Sequence, residues 1–544
     1  MLRVRTRVAD SPTNPTKPSG TSAGAGVLYI AFAKLYFMVA GLVVVFRLPS
    51  VLSQVQWGSY SFVNSLVSPV NNVLNTGTIQ TVSRFAAQEP DKVRQVQDAG
   101  LRMHLRFGLP LMVLYVAAAP VIGWIFLDAS KVAPVALGGL ILGGNAFYTV
   151  FVGTANGQHQ FHKQAAFDIT FATLRTIGLI GMAMMGLGVV GVMGGWVVAV
   201  GMILVISAVS VGLPGRVAKA DRLPVKPMLA FFLRLAVYLA LFNALMFVDT
   251  WLLKRLTTSY YDAHHVEYAA ALDHVVPWAA RTTGFHPSSS MLADVQVGYY
   301  AAVQNLARLP YQLIIAATFV VFPLVSRSTF TDDKDTTRRY IEVTVRYSLI
   351  FASTIAVAMA ANPSNMLGIV YAPEYAKTGG PALAFLALGN IAFSVFAISG
   401  TILNGAGFTR HATVTAAITL VLAAVANFIA IPIAMSSGNV LEVAAAVTGG
   451  AMLVGAILTG LVVRKQLGAF LPLLSLARIV FAAAVAIVVG RLLPLHGKLM
   501  SLVEAAIVAV IFLVVLVVTR ELGARDLAAI KAVRKKRAPQ GDSP

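Results

Sequence analysis

The 544-residue sequence contains no cysteine. Disulfides, thiolate metal ligands and cysteine nucleophiles are therefore excluded. Charge is scarce too. Asp, Glu, Lys and Arg make up 12% of the chain, roughly half of what a soluble protein carries. No Walker-type phosphate loop occurs, so no ATP-driven mechanism is encoded. There is no HExxH. His264, His265 and Glu267 only loosely approach metal-ligand spacing, and neither a metal nor a cofactor is expected. Asp262 and Asp273 are the only acids resembling catalytic carboxylates in an outer loop, too weak a signal to predict an enzyme.

What the chain has instead is apolar length. It is 57% hydrophobic, with mean hydropathy +0.77. Fourteen apolar runs of roughly 20 residues, each enough to span a bilayer, extend from residues 25–47 to 499–519. The second (59–82) and eighth (297–325) contain Pro69 and Pro310, which can kink a helix. This predicts an all-α polytopic membrane protein with about 14 transmembrane helices.

The net charge of +20 is not spread evenly. Eight cations fall in the connections on one side: Arg47, Lys131, Lys254, Arg255, Arg281, Lys377, Arg491 and Lys498. Three lie inside the runs, and the other 31 of the 42 Lys and Arg occupy the opposite connections and both tails. That is the positive-inside pattern. It predicts cytoplasmic N- and C-termini and argues against nucleic acid as a partner.

The chain also repeats itself about 245 residues apart. Gly144-Asn145, Val150-Phe151 and Asn156-Gly157 are echoed by Gly389-Asn390, Val395-Phe396 and Asn404-Gly405. Upstream, Gly58-x-Tyr60-x-x-Val63-Asn64 matches Gly298-x-Tyr300-x-x-Val303-Gln304, and Ser83-Arg84 matches Ser326-Arg327. Each half spans six runs. Six is even, so the halves enter from the same side and are related by a pseudo-two-fold along the membrane normal. The expected organisation is a disordered leader (1–23), an N-lobe (24–212), a short basic linker (213–228) and a C-lobe (229–463). Two extra helices (464–519) and a basic tail (520–544) follow. The C-lobe carries an outer loop insertion at 257–294.

Charge at mid-membrane depth is costly and points to a cavity or a partner. Lys34, Arg175 and Arg308 each fall about nine to eleven residues into a run, near the bilayer centre. Asp168, seven residues before Arg175, lies on the same helical face and is its candidate partner. No acid accompanies Lys34 or Arg308 within its own run. The three cations therefore suggest a wet cavity that receives an anion. Asp168 and Asp249 are candidate ion-coupling acids, with a local pair to Lys254 or Arg255 the alternative for Asp249. Asn64, Asn71 and Asn75 recur along one face of the second helix, and Gln304 and Asn305 sit on the eighth. In lipid such amides either bridge helices or line a polar path. They are the candidate substrate contacts. The glycine pairs, such as Gly194-Gly195 and Gly449-Gly450, are expected at close helix crossings.

Trp57-Gly58-x-Tyr60, Gly298-Tyr299-Tyr300-Ala301-Ala302, Ser83-Arg84 and the Asn404-Gly405 turn resemble a known pattern. They are similar to motifs in oligosaccharide and polysaccharide flippases of the multidrug/oligosaccharidyl-lipid/polysaccharide exporter superfamily. The resemblance covers roughly residues 24–520. It implies alternating access between two lobes in a bacterial inner membrane. It also implies a polyprenyl-pyrophosphate-linked oligosaccharide as cargo. Membrane lipids, a polysaccharide polymerase and glycosyltransferases would be partners. The pyrophosphate would meet Lys34, Arg175 and Arg308, the sugar would meet the amides, and the lipid tail would stay in hydrocarbon. A lipid II flippase and a cation-coupled multidrug exporter are the alternatives. The 257–294 insertion departs from the family pattern.

Overall fold

A computed structural model describes residues 20–275, 288–312, 314, 334–493 and 497–523. Ser326-Arg327, Arg281, His286, residues 1–19 of the expected leader and residues 524–544 of the tail lie outside these. Among the described residues the chain is helical, without strands.

The first lobe contains α1 (Gly20–Val51), α2 (Gln54–Gln88), α3 (Val93–Arg106), α4 (Gly108–Ile125), α5 (Val132–Gly157), α6 (Phe161–Met184) and α7 (Gly188–Val211). The second contains α8 (Val225–Leu245), α9 (Val248–Ala263), α10 (Ala269–Val275), α11 (Ser290–Ala307), α12 (Lys334–Ala361), α13 (Pro363–Val370), α14 (Pro373–Gly405), α15 (Thr409–Met435) and α16 (Val440–Leu467). Two further helices follow, α17 (Leu473–Arg491) and α18 (Lys498–Val518).

The sequence repeat becomes a repeat of packing. In the first lobe α5 packs on α2, α4 and α7, while α6 packs on α1 and α7. Six spans later α14 packs on α11, α12 and α16, while α15 packs on α8, α9 and α16. The glycine pairs serve these crossings. Gly195 meets the backbone of Gly178, and Gly449 meets that of Gly389, where any larger side chain would hold the helices apart. Their neighbours Gly194 and Gly450 face open space.

Among the described residues, twelve helices are long and apolar enough to cross a membrane. Of the two expected spans missing from that set, the eighth (297–325) lies partly outside the described residues, and the second corresponds to α2. α2 is rich in polar residues and runs between the lobes, packed on α5, α8 and α11. Protein neighbours satisfy groups that lipid would not.

The basic connection after α2 is itself helical, and two further expectations change. Val93, Val96, Ala99, Gly100 and Met103 bury one face of α3. The seventh span does not end near 253. Its helix breaks at Met246-Phe247 and resumes as α9, through Ala263. Much of the 257–294 insertion is likewise helical, belonging to α9, α10 and the start of α11. At the other end, Ser53 opens α2 with a capping box. Its hydroxyl accepts from Gln56 N, and Gln56 in turn accepts from Ser53 N. α17 and α18 pack on each other and on α12. Glu521 fastens them by accepting from Arg346 (2.8 Å) and Arg478 (3.4 Å).

Candidate functional site

The lobe interface has two flanks. On one, α2 packs along α8. Asn72 donates to Asn243 (3.0 Å), and Trp251 on α9 donates to Ser65 on α2. On the pseudo-symmetric flank, the part of the eighth span that would face α1 lies largely outside the described residues, and α1 packs on α6. α1 exposes Tyr29, Phe32, Leu35, Val39, Val43 and Phe46 on its outer face.

Lys34 sits on α1 with its side chain 44% exposed, paired to Asp168 at 2.7 Å. This corrects the expected pairing. Asp168 faces across to α1 rather than along its own helix to Arg175. Arg175 instead lies over the Trp196 ring, 4.3 Å from its centre, and shares a hydrogen bond with Tyr60 of α2. Its Nε has no hydrogen-bond partner. Among the described residues, no carboxylate lies within ion-pair distance of it.

Arg308 is not isolated either. Its guanidinium donates to the Met246 carbonyl and stacks on Phe247, 4.5 Å from the ring centre. It therefore caps the break between α8 and α9, where the helix ladder leaves a carbonyl free. Asp249, just past the break and 2% exposed, interacts electrostatically with Arg308. The expected partners, Lys254 and Arg255, do not hold it. Asp249 accepts from Tyr300 (2.7 Å), Gln304 (3.0 Å) and Thr250 N (2.7 Å). Tyr300 reaches Thr448, which accepts from Asn427 (2.9 Å). Gln304 is thus committed to a buried network rather than to a cavity wall.

The asparagines divide similarly. Asn71 is buried and accepts from Asn145 (2.8 Å), so it bridges helices. Asn64 accepts from Ser68 (3.0 Å) on its own helix. Asn75 has a buried Oδ1 without a partner. Asn305 donates weakly to Tyr371 (3.4 Å). The structure joins Lys34 with Asp168, and Arg308 with Asp249 and Gln304. It does not bring the three cations to one point. His264 and His265 contact backbone oxygens, and no metal-binding cluster occurs among the described residues.

One feature was absent from the sequence reading. At the end of the bundle carrying the α4–α5 connection, Asp128 and Lys131 of the first lobe meet Lys254 and Asp294 of the second. Four ion pairs of 2.7–2.9 Å link them, and every side chain is 3% exposed or less. Lys131 and Lys254, expected in the outer connections, are both buried. Burial disfavours the charged Asp128 carboxylate, yet Lys254 and Lys131 outweigh it and hold its pKa well below the ordinary range. Beside this ring α2 and α11 cross at Gly58 and Gly298, and Trp57 donates to the Gly298 carbonyl (3.1 Å). The crossing glycines are the repeat's own landmarks, so the crossing itself was legible. The charges around it stand at run edges, where an ion pair and a solvated loop look alike.

A family model for "Polysaccharide biosynthesis protein" matches residues 23–329. The chain belongs to this family. Among curated proteins, none matches the sequence significantly. Solved structures share the fold of this family member. A lipid II flippase MurJ in an inward closed conformation superposes with TM-score 0.66 at 12% identity, covering 91% of this chain and 99% of that one. A multidrug resistance MATE family transporter of the MOP superfamily, outward-facing, gives 0.57 at 13% identity, covering 81% and 95%. A MOP superfamily transporter from Pyrococcus furiosus, described as having a binding pocket of reversed polarity, gives 0.57 at 14%, again covering 81% and 95%. The polysaccharide biosynthesis family member is therefore a multi-pass membrane protein built as a flippase or transporter is built.

Proposed function

We propose that the protein flips a polyprenyl-pyrophosphate-linked oligosaccharide across a bacterial inner membrane, for surface polysaccharide assembly. The observation that carries this reading is Arg175, a cation inside the bundle with no carboxylate within ion-pair distance among the described residues. A lipid-linked cargo must keep its tail in hydrocarbon while its head group crosses between the lobes. The α2–α8 flank, joined by Asn72 and Asn243, is not the side that admits such a tail. The head group is a hydrated polyanion, and hydrocarbon alone would exclude it. Arg175, without a carboxylate partner, is the cation most able to take a phosphate oxygen. Lys34 joins it by leaving Asp168, a partly exposed pair that water entering the cavity would screen. Arg308 contributes through the α8–α9 break rather than as a free anion receptor. With the basic connections facing the cytoplasm, the sealed α4–α5 end faces outward. In this reading the resting protein is closed to the outside and receives cargo from within.

The likeness to a lipid II flippase favours lipid II as a second cargo, which complementation of peptidoglycan synthesis separates from the first. A cation-coupled exporter needs a buried acid free to exchange its ion. Asp249 is buried but already faces Arg308, which weighs against that reading. The test is flipping of a pyrophosphate-linked polyprenyl oligosaccharide in proteoliposomes. Wild type should flip it, and Arg175→Ala should lower the rate at least tenfold. Absence of flipping by wild type, or full activity of both Arg175→Ala and Lys34→Ala, overturns the assignment.

A further inference from the structure

We infer that the buried Asp128–Lys131–Lys254–Asp294 ring is the latch holding the lobes together at the α4–α5 end. The lobes separate there only when its inter-lobe pairs break. This rests on the alternating-access reading above. The argument starts from how the charges are divided. Each lobe contributes one acid and one base, so each lobe's half is neutral by itself. Within the halves, Lys131 meets Asp128 at 2.9 Å, and Lys254 shares an edge with Asp294 at 2.8 Å. Across the interface, Lys131 meets Asp294 at 2.7 Å and Lys254 meets Asp128 at 2.9 Å. The two pairs dock base to acid twice over.

Such a ring is poorly suited to adding stability, since desolvating four charges offsets much of their attraction. It is well suited to choosing one register and to releasing. When the lobes part, each half keeps its internal pair and carries no net charge into water. The closed state therefore competes with an open state that is not heavily penalised, as a moving barrier requires. Lys254 also donates to the Ser290 carbonyl at 2.8 Å, which ties the ring to the first turn of α11. The Asp294 carbonyl lies against Gly58, so ring and crossing must open together. The repeat shows that the latch is one-sided. Asp294 stands four residues before Gly298, and the matching place before Gly58 is Gln54, an uncharged amide that accepts from Tyr299 (3.3 Å).

The division into two neutral halves gives a direct test. Inverting one lobe's pair, Asp128→Lys with Lys131→Asp, keeps that pair and the total charge but sets like charges against each other across the interface. Inverting the other, Lys254→Asp with Asp294→Lys, does the same. Inverting both restores every attraction. Because the native chain has no cysteine, spin labels placed only at Ala129→Cys and Ala263→Cys report the separation of the lobes at this end. This readout needs no cargo. Wild type and the fourfold variant should show the same short distance. Each single-lobe inversion should shift the distribution to longer distances, with the closed fraction reduced at least tenfold. Asp294→Asn, a milder change should the inversions fold poorly, should move it the same way. The proposal is overturned if Asp294→Asn and a folded single-lobe inversion keep the wild-type distance. It is also overturned if the fourfold variant stays open. If the distances behave as stated but wild type flips no lipid-linked glycan, the latch stands and the cargo assignment falls.

Discussion

Replacing Gly58 with alanine should open the protein at the α4–α5 end without touching a charged residue. The new Cβ would lie 1.6 Å from the Asp294 carbonyl oxygen, 2.4 Å from its carbon and 3.1 Å from Gly298 N. All three atoms are backbone, so no rotamer change relieves the clash. To reach ordinary contact, α2 and α11 must part by about 2 Å at the crossing. That movement carries the ring's inter-lobe pairs, now 2.7–2.9 Å, past hydrogen-bond range. Forcing one extra carbon into a packed contact costs about 1–3 kcal/mol. A mid-range value of about 2 kcal/mol shifts the closed-to-open ratio by roughly 30-fold. The assay is the distance between labels at positions 129 and 263, with thermal unfolding in detergent beside it. Gly41→Ala is the matched control, because nothing lies within 4 Å of the Cβ it would add. A Gly58→Ala protein with the wild-type distance distribution would refute the reasoning.

Other expectations follow from the same contacts. Arg308→Met should leave Asp249 its hydrogen bonds but remove the opposite charge facing it, costing about 1–3 kcal/mol, seen as a lower Tm. Removing Asp249 as well should recover part of that loss in a double-mutant cycle. Lys34→Met should change stability by less than about 1 kcal/mol, because the pair is partly exposed, and still slow flipping in proteoliposomes. The closure near Asp128 should not vary between pH 5 and 8. Its pKa is lowered on folding, so its contribution is complete above the unfolded value of 3.8 and is lost only in stronger acid. Label distances measured across that range check this. Glu521→Ala should loosen the end of α18 from Arg346 on α12 and Arg478 on α17, seen as faster proteolysis at the end of α18.

The helical architecture was readable because length and apolarity alone decide which segments span a bilayer. The repeat fixed the pairing of helices, since Gly58 and Gly298 do meet at the lobe crossing. Helix limits were harder. Nothing in the sequence around Met246-Phe247 marks a break, which depends on Arg308, a residue sixty positions away. α3 did carry a signal in the spacing of Val93, Val96, Gly100 and Met103, overshadowed by the basic residues around it. The partners of Lys34, Arg175 and Arg308 were not legible in the sequence. Asp168 and Asp249 reach cations on neighbouring helices, and sequence spacing ranks only partners on the same one. The ring was hidden for the same reason: its attractions join residues as many as 163 positions apart.

The α2–α8 contact closes one side of the lobe interface to a lipid tail. Cargo that passes between the lobes would then never leave on that bearing in the plane of the membrane. An enzyme that builds on that cargo gains nothing by standing there, and one placed behind α2 and α8 would have to wait for lateral diffusion.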